Sequence, residues 1–196
     1  MEQNYTQDLF FSMQRLSNSP YQIRRLNSTS TIPFVLDDIT ATAITGTTLS
    51  NLRGQGRLFY ADYRDQRNLS LTAGHYVAAC DAYFYIDPRS GDFLPLAIRT
   101  NSGDGGGGGG VNLVYTPLDS PSDWLLAKIM YNVNDFWFGQ WNHLAFTHET
   151  VHIVWMAAVR TLSQDHPVFA VLNRREFLPL PFFFLKKGKM VLPPIK

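Results

Sequence analysis

A mainly α-helical fold with a small β part is what this sequence predicts, and three observations carry that expectation. From Asp123 to about Leu162 the chain has no proline and a single glycine, Gly139, and it is dense in Trp, Phe, Leu, Ile and Val. Residues 5–26 place apolar side chains at roughly helical spacing. Strand signals are confined to three short runs between residues 57 and 100. The 196 residues are 45% hydrophobic and 14% aromatic, which fits one ordinary domain and excludes a chain disordered throughout.

Taken in order, residues 5–26 read as a helix interrupted around Asn18, Ser19 and Pro20. TIPFVLDD is a short extended run. TLSNLRGQGRLFYADY reads as a short helix, a turn at Gly54 and Gly56, and a strand. Residues 76–100 read as two strands joined by a turn over Asp87, Pro88, Arg89, Ser90 and Gly91. The run Gly105–Gly110 is a surface loop, because consecutive glycines lose too much backbone entropy to sit inside an element. VNLVYTPLDSPSDW is an extended entry to a helix, with Ser122 as N-cap after Pro121. Two long, mostly buried helices follow, with a break near Gly139. Ser163 and Asp165 then cap a helix beginning at His166-Pro167. No internal repeat is present.

Composition sets further bounds. One cysteine, Cys80, excludes an intrachain disulfide framework and a Cys-rich zinc module. A net charge of +1 gives no reason to expect nucleic acid as a partner. No apolar run reaches the roughly 18 residues that span a bilayer. No signal peptide is visible, so the sequence is consistent with a cytoplasmic chain or, given a longer precursor, a secreted one. Asn4, Asn27 and Asn68 begin N-x-[ST] triplets that could accept glycans in the second case. The near-neutral charge is uneven. Residues 174–196 carry six basic side chains against Glu176 alone, a net +5, while the other 173 residues carry 11 basic and 15 acidic side chains, a net −4.

His143, His148, His152 and His166 fall within 24 residues, and three of them lie in WNHLAFTHETVHIVWMAAVR. Neutral imidazoles are common metal ligands, and histidines close together on one helix can share an ion. Two registers compete. His148 and His152 are four apart, about 40° around an α-helix, and with Glu149 they form H-E-x-x-H, the zinc-hydrolase signature. His143 and His148 are five apart, about 140° around an α-helix, and need a π-type turn to share a face. An extended signature with a third histidine fails, because Ala158 stands at its position.

The order of motifs resembles the lipoxygenase family, and its fungal branch in particular. The resemblance runs over residues 5–173, through FSMQRLSNSPYQIRRL, TIPFVLDD, GRLFYADYRD, AYFYIDPRSGDFLPLAIRT, YTPLDSPSDWLLAKIMYNVND and HLAFTHETVHIVWMAAVRTLSQDHPVFAVLNR. It implies a partial helical catalytic domain and a dioxygenase in which one non-haem iron or manganese ion supplies the redox chemistry. A hydrogen leaves the doubly allylic carbon of a polyunsaturated fatty acid, and O2 adds to give a hydroperoxide. The family's spacing around the metal, His, four residues, His, seventeen residues, His-Pro, matches His143, His148 and His166-Pro167. It therefore implies His143 and His148 as ligands, His148 and His152 as the alternative pair, and His166 as a non-ligand at a helix junction. Trp137, Phe138, Trp141, Phe146 and Trp155 could line a pocket or simply pack the core. Arg24, Arg25 and Arg57 could meet a carboxylate or form surface ion pairs.

The resemblance stops near Asn173. The tail from Arg174 has no counterpart in the family, and its alternative role is a basic membrane-surface contact. The family's remaining ligands have no counterpart either, so the chain reads as truncated and inactive alone. A zinc hydrolase built on residues 148–152 and a non-catalytic fragment are the two other readings.

Overall fold

The structure, a computed structural model, describes residues 6–70, 73–74, 78–100 and 112–173, with Asn18, His143, Leu144, Phe146 and Asn173 described by backbone only. The predicted glycine loop at 105–110 and the tail at 174–196 lie outside the described residues. The chain forms two compact units, residues 1–145 and 146–196.

The first unit is built on a five-stranded antiparallel sheet in the order β1-β2-β3-β4-β5, so every strand pairs with its neighbour in sequence. The strands are β1 (Arg24–Leu26), β2 (Leu58–Asp62), β3 (Asp81–Ile86), β4 (Phe93–Thr100) and β5 (Leu113–Tyr115). This overturns the mainly α expectation: the fold is α plus β, with the sheet at the centre of the core. The physical reason lies in burial. Strand β3, DAYFYI, is buried at its first five positions, because both faces of the sheet are covered. Such a strand shows a continuous apolar run instead of alternation, and β1 and β5 are only three residues each.

One face carries α1 (Asp8–Asn18) and α4 (Pro121–Phe138). Phe11 of α1 and Trp124, Ala127 and Tyr131 of α4 pack there with Ala82 and Phe84. The other face carries α2 (Asp38–Thr45) and α3 (Leu49–Gly54), with Ala41 and Leu52 against Tyr83, Tyr85 and Leu96. A bulge opposite Tyr83 and Phe84 pairs them with Ala97 and Pro95, so Leu96 is the extra residue. Leu96 and Ala97 consequently serve the same core, which strict alternation would forbid. The predicted turn between β3 and β4 forms, with Gly91 at φ +79° and its N–H donating to the Asp87 carbonyl at 2.9 Å.

The loop before α2 is held by Tyr83, whose hydroxyl accepts from the Phe34 N–H at 2.9 Å and donates to the Phe34 carbonyl at 2.7 Å. Arg99 makes a bidentate pair with the fully buried Asp81, at 2.9 and 2.6 Å, and Tyr60 donates to the same carboxylate at 2.6 Å. That carboxylate is thus desolvated with charge and hydrogen bonds both supplied.

Helix α4 begins two residues earlier than expected. Ser120 is the N-cap, its hydroxyl accepting from the Asp123 N–H, and Pro121 takes the first helical position. Two buried polar residues near its end fix it to the sheet. Asn134 accepts from the Cys80 N–H at 2.9 Å and donates to Gln66 Oε1 at 2.9 Å, while Gln66 returns a bond to the Asn134 carbonyl at 2.8 Å. Asp135 accepts from the Tyr63 hydroxyl and pairs with Arg15 of α1, whose Nε lies 3.3 Å away. At the other end, Asp8 accepts from the Trp124 indole at 2.8 Å and from Lys128 at 2.7 Å.

Helical structure continues past Gly139, which keeps right-handed angles of φ −59° and ψ −41°. The expected break is instead a change of winding: a π-helical segment over Gly139–Glu149. In the second unit, α5 (Thr150–Thr161) has no buried residue among those described, contrary to the mostly buried helix expected. Its aliphatic side chains Val151, Ile153 and Val154 are all exposed. Helix α6 (Pro167–Asn173) contacts α5, and the Trp155 indole donates to the Leu172 carbonyl at 3.0 Å.

Asn134→Ala should lower the stability of the first unit by about 3 kcal/mol, because it strands the buried Cys80 N–H and the Gln66 Oε1. Urea unfolding followed by tyrosine and tryptophan fluorescence measures the loss, and a change below about 0.5 kcal/mol would contradict the role assigned to this side chain.

Candidate metal centre

The histidines follow directly from the clamp on α4. Asn134 and Asp135 hold the last turns of that helix by buried hydrogen bonds, and the π segment continues from it. The sequence alone did not single out these two residues. Their signal was an adjacent polar pair inside an otherwise apolar helix, immediately upstream of the histidines.

A π-helix closes its hydrogen bonds between residues five apart and is wound more loosely than an α-helix, so residues at that spacing lie nearer to one face. His143 and His148 have that spacing, and both lie in the π segment Gly139–Glu149. The winding that the five-residue register required is therefore present in the backbone. The His143 side chain lies outside the described residues, and the His148 side chain is exposed. The four-residue register has a different backbone under it. His148 and Glu149 are π-helical while His152 lies in α5, so the uniform α-helix that the H-E-x-x-H reading assumes is absent across the motif. His152 is half-buried against Trp155, with ring centroids 5.3 Å apart.

His166 has a structural task. Its Nδ1 accepts from the Val168 N–H at 3.1 Å and its carbonyl accepts from the Phe169 N–H at 2.9 Å, which caps α6. An Nδ1 acceptor requires the proton on Nε2. The predicted cap by Ser163 and Asp165 is more local: the Ser163 hydroxyl accepts from the Asp165 N–H at 3.3 Å.

Among the described residues, no group of three or more His, Cys, Asp or Glu side chains could hold a metal ion. Cys80 is buried, and burial, with Asp81 beside it, pushes its thiol well above the ordinary range. Burial likewise raises the Tyr63 and Tyr131 phenols, so both stay neutral hydrogen-bonding groups.

The aromatic and arginine candidates mostly have structural partners. Phe138 packs in the sheet core, Trp137 and Trp141 lie with ring centroids 6.0 Å apart, and Trp155 ties α5 to α6. Phe146 is described by backbone only. Arg24 lies over Tyr60 and Arg25 over Phe59, at 4.7 and 5.5 Å from the ring centroids. Arg57 donates to the Asp87 carbonyl at 3.3 Å.

Comparison with known proteins then gives a consistent result. A family model described as Lipoxygenase matches residues 21–176. A manganese lipoxygenase of Colletotrichum gloeosporioides is 55% identical over 175 residues, covering 89% of this chain and 28% of that protein. One from Nakataea oryzae is 52% identical, covering 89% of this chain and 27% of that protein. The solved manganese lipoxygenase of Gaeumannomyces graminis superposes with a TM-score of 0.74 at 49% identity, over 87% of this chain and 29% of that one. The chain thus spans little more than a quarter of the length of the relatives it matches.

His166→Ala should free the Val168 amide and speed its hydrogen exchange about fivefold, the equivalent of ~1 kcal/mol for a lost cap. Exchange rates by NMR check this, and an unchanged Val168 rate would remove the capping role.

Proposed function

The chain belongs to the lipoxygenase family, and on that premise we propose that His143 and His148 are protein ligands of a manganese centre. The centre serves a dioxygenase that adds O2 to polyunsaturated fatty acids and yields hydroperoxides. The observation that carries the assignment is the π winding over Gly139–Glu149, which turns less per residue than an α-helix and so brings two histidines five apart nearer to one face. Manganese is preferred to iron because the fungal relatives at about half identity are named for manganese.

The residues fit such an ion in part. Two neutral imidazoles supply two nitrogen donors, and manganese also takes oxygen donors, which the described residues do not bring together. When bound, the metal supplies the one-electron chemistry that starts fatty-acid oxidation. The chain's own contribution is positional. Asn134 and Asp135 fix the end of α4, the helix that leads into the π segment bearing His143. The hydrolase reading gains no comparable support. Its motif spans a change of winding, and its His152 is stacked on Trp155.

Mn(II) is paramagnetic and broadens the signals of the groups that bind it. Titrating it into the chain should broaden the imidazole signals of His143 and His148 together, with His152→Ala leaving the effect unchanged and His143→Ala abolishing it. Paired broadening of His148 and His152 would replace this assignment with the four-residue register.

Two protein donors hold an ion weakly. The chain supplied with Mn(II) or Fe(II) and linoleate should therefore show no growth of conjugated-diene absorbance. Sustained turnover would show that the described donors suffice.

A further inference from the structure

Strand β1 runs into a turn that holds an unengaged hydroxyl among arginines. Residues 27–30 form a β-turn closed by the Ser30 N–H on the Asn27 carbonyl at 3.0 Å, with Ser28 at its first corner. The Thr29 and Ser30 hydroxyls both donate to Asn27 Oδ1, at 2.8 and 2.9 Å. Ser28 is exposed, and its hydroxyl makes no hydrogen bond among the described residues.

Arg24 and Arg25 stand four and three residues before Ser28, in the extended backbone of β1. Both are exposed, and neither pairs with a carboxylate among the described residues. Each lies over a ring, Tyr60 or Phe59. Stacking occupies the flat face of a guanidinium and leaves its N–H edge open to a carboxylate. Strand β1 is also the edge of the sheet, so one side of its backbone is open. Beneath the turn lies Arg53 of α3. Its Nη2 donates to the carbonyls of Asn27, Ser28 and Ser30 at 3.1, 2.9 and 2.5 Å, while its Nη1 has no partner among the described residues.

We propose that Ser28 is a phosphorylation site for a protein kinase with an acidic peptide groove, which reads Arg24 and Arg25. Two unpaired arginines on an extended, open edge match groove carboxylates by charge and by bidentate geometry. The Ser28 oxygen attacks the γ-phosphorus of ATP and the bond to the β-phosphate oxygen breaks. ADP leaves, and the hydroxyl proton passes to the kinase's base. The product brings about two negative charges and three acceptor oxygens to the turn that Arg53 already grips. Arg53 Nη1 takes a phosphate oxygen and ties the turn more firmly to α3. The full charge of Arg53 outweighs the weak negative end of that six-residue helix. The same arginine-to-serine step occurs at Arg67–Ser70 and Arg160–Ser163, each with a single arginine. Of these, the Ser163 hydroxyl already accepts from the Asp165 N–H. The proposal is independent of the metal assignment, because it concerns the sheet edge and its readout is phosphate incorporation.

Phosphorylation in vitro tests it. The purified full chain is incubated with Mg-ATP and the catalytic subunit of cyclic-AMP-dependent protein kinase, a serine kinase directed by basic residues. The expected result is close to one phosphate per chain, located on Ser28 by tandem mass spectrometry. Ser28→Ala should abolish incorporation, and Arg24→Gln/Arg25→Gln should slow it about tenfold or more, two charge-assisted contacts being lost. Hydrogen exchange then reads the grip of Arg53. Phosphate should slow exchange at the Ser30 amide about tenfold, and Arg53→Gln should erase that difference between phosphorylated and unmodified chain. The variants replace exposed or half-exposed side chains and should keep the circular dichroism of the parent. No incorporation, incorporation mainly at Ser70 or Ser163, or labelling of Ser28 indifferent to Arg24 and Arg25 would each overturn the proposal. An unchanged Ser30 exchange rate would remove the role given to Arg53.

Discussion

The buried polar clamp on the last turns of α4 is the constraint on which the rest of the first unit turns. Apolar contacts between helix and sheet tolerate small slides and rotations, because the hydrophobic effect is non-directional. Hydrogen bonds do not. Asn134 meets the start of β3 and the turn after β2 at once, and Asp135 meets Tyr63 and the helix on its other side. A one-residue rotation of α4 would leave several of these groups buried without partners, each at a cost comparable with a lost hydrogen bond. The clamp also carries a real desolvation cost. Arg15 and Asp135 are both almost fully buried, and such a pair is worth more for orientation than for net stability. Arg15 offsets part of the cost by lying over the Phe11 ring at 4.6 Å and by donating to Asn132.

The clamp also bears on the proposed site, because the helix it fixes is the one that runs into the π segment. Long π windings are uncommon and tend to accompany function. The H-E-x-x-H match shows the converse. Its chemistry presupposes a regular α-helix, and a five-residue pattern cannot tell whether the helix beneath it is wound that way.

Much of the fold was legible where local chemistry is strong. The end of α1 at Asn18, the Gly91 turn, the helix of TLSNLRG and the onset of α6 at Pro167 all sit where caps, prolines and glycines place them. The fold class was not legible, for reasons visible in single strands. Strand β3 is covered on both sides and hides its period, β1 and β5 are too short to have one, and the bulge at Leu96 breaks the alternation of β4. Helix caps within a run of candidates were also ambiguous: Ser120 and Ser122 both flank Pro121, and only the loop geometry selects Ser120. The spacing of His143 and His148 named the winding they would need, but not whether the chain adopts it. Asn134 and Asp135 escaped notice because a polar pair in a sequence carries no mark of burial.

The sheet's topology has a consequence in time. All five strands pair with sequence neighbours, so the meander can zip hairpin by hairpin as the chain lengthens. The helical layer cannot. Thr6 and Asp8 bond Lys128 across 122 and 120 positions, and Trp124 reaches Asp8 across 116. At a synthesis rate of roughly 5–20 residues per second, α1 leaves the ribosome on the order of ten seconds before α4 exists to receive it. During that interval Phe11 and the sheet face beneath it stand open to water, and the nascent chain needs shielding at the very surface that later becomes its core.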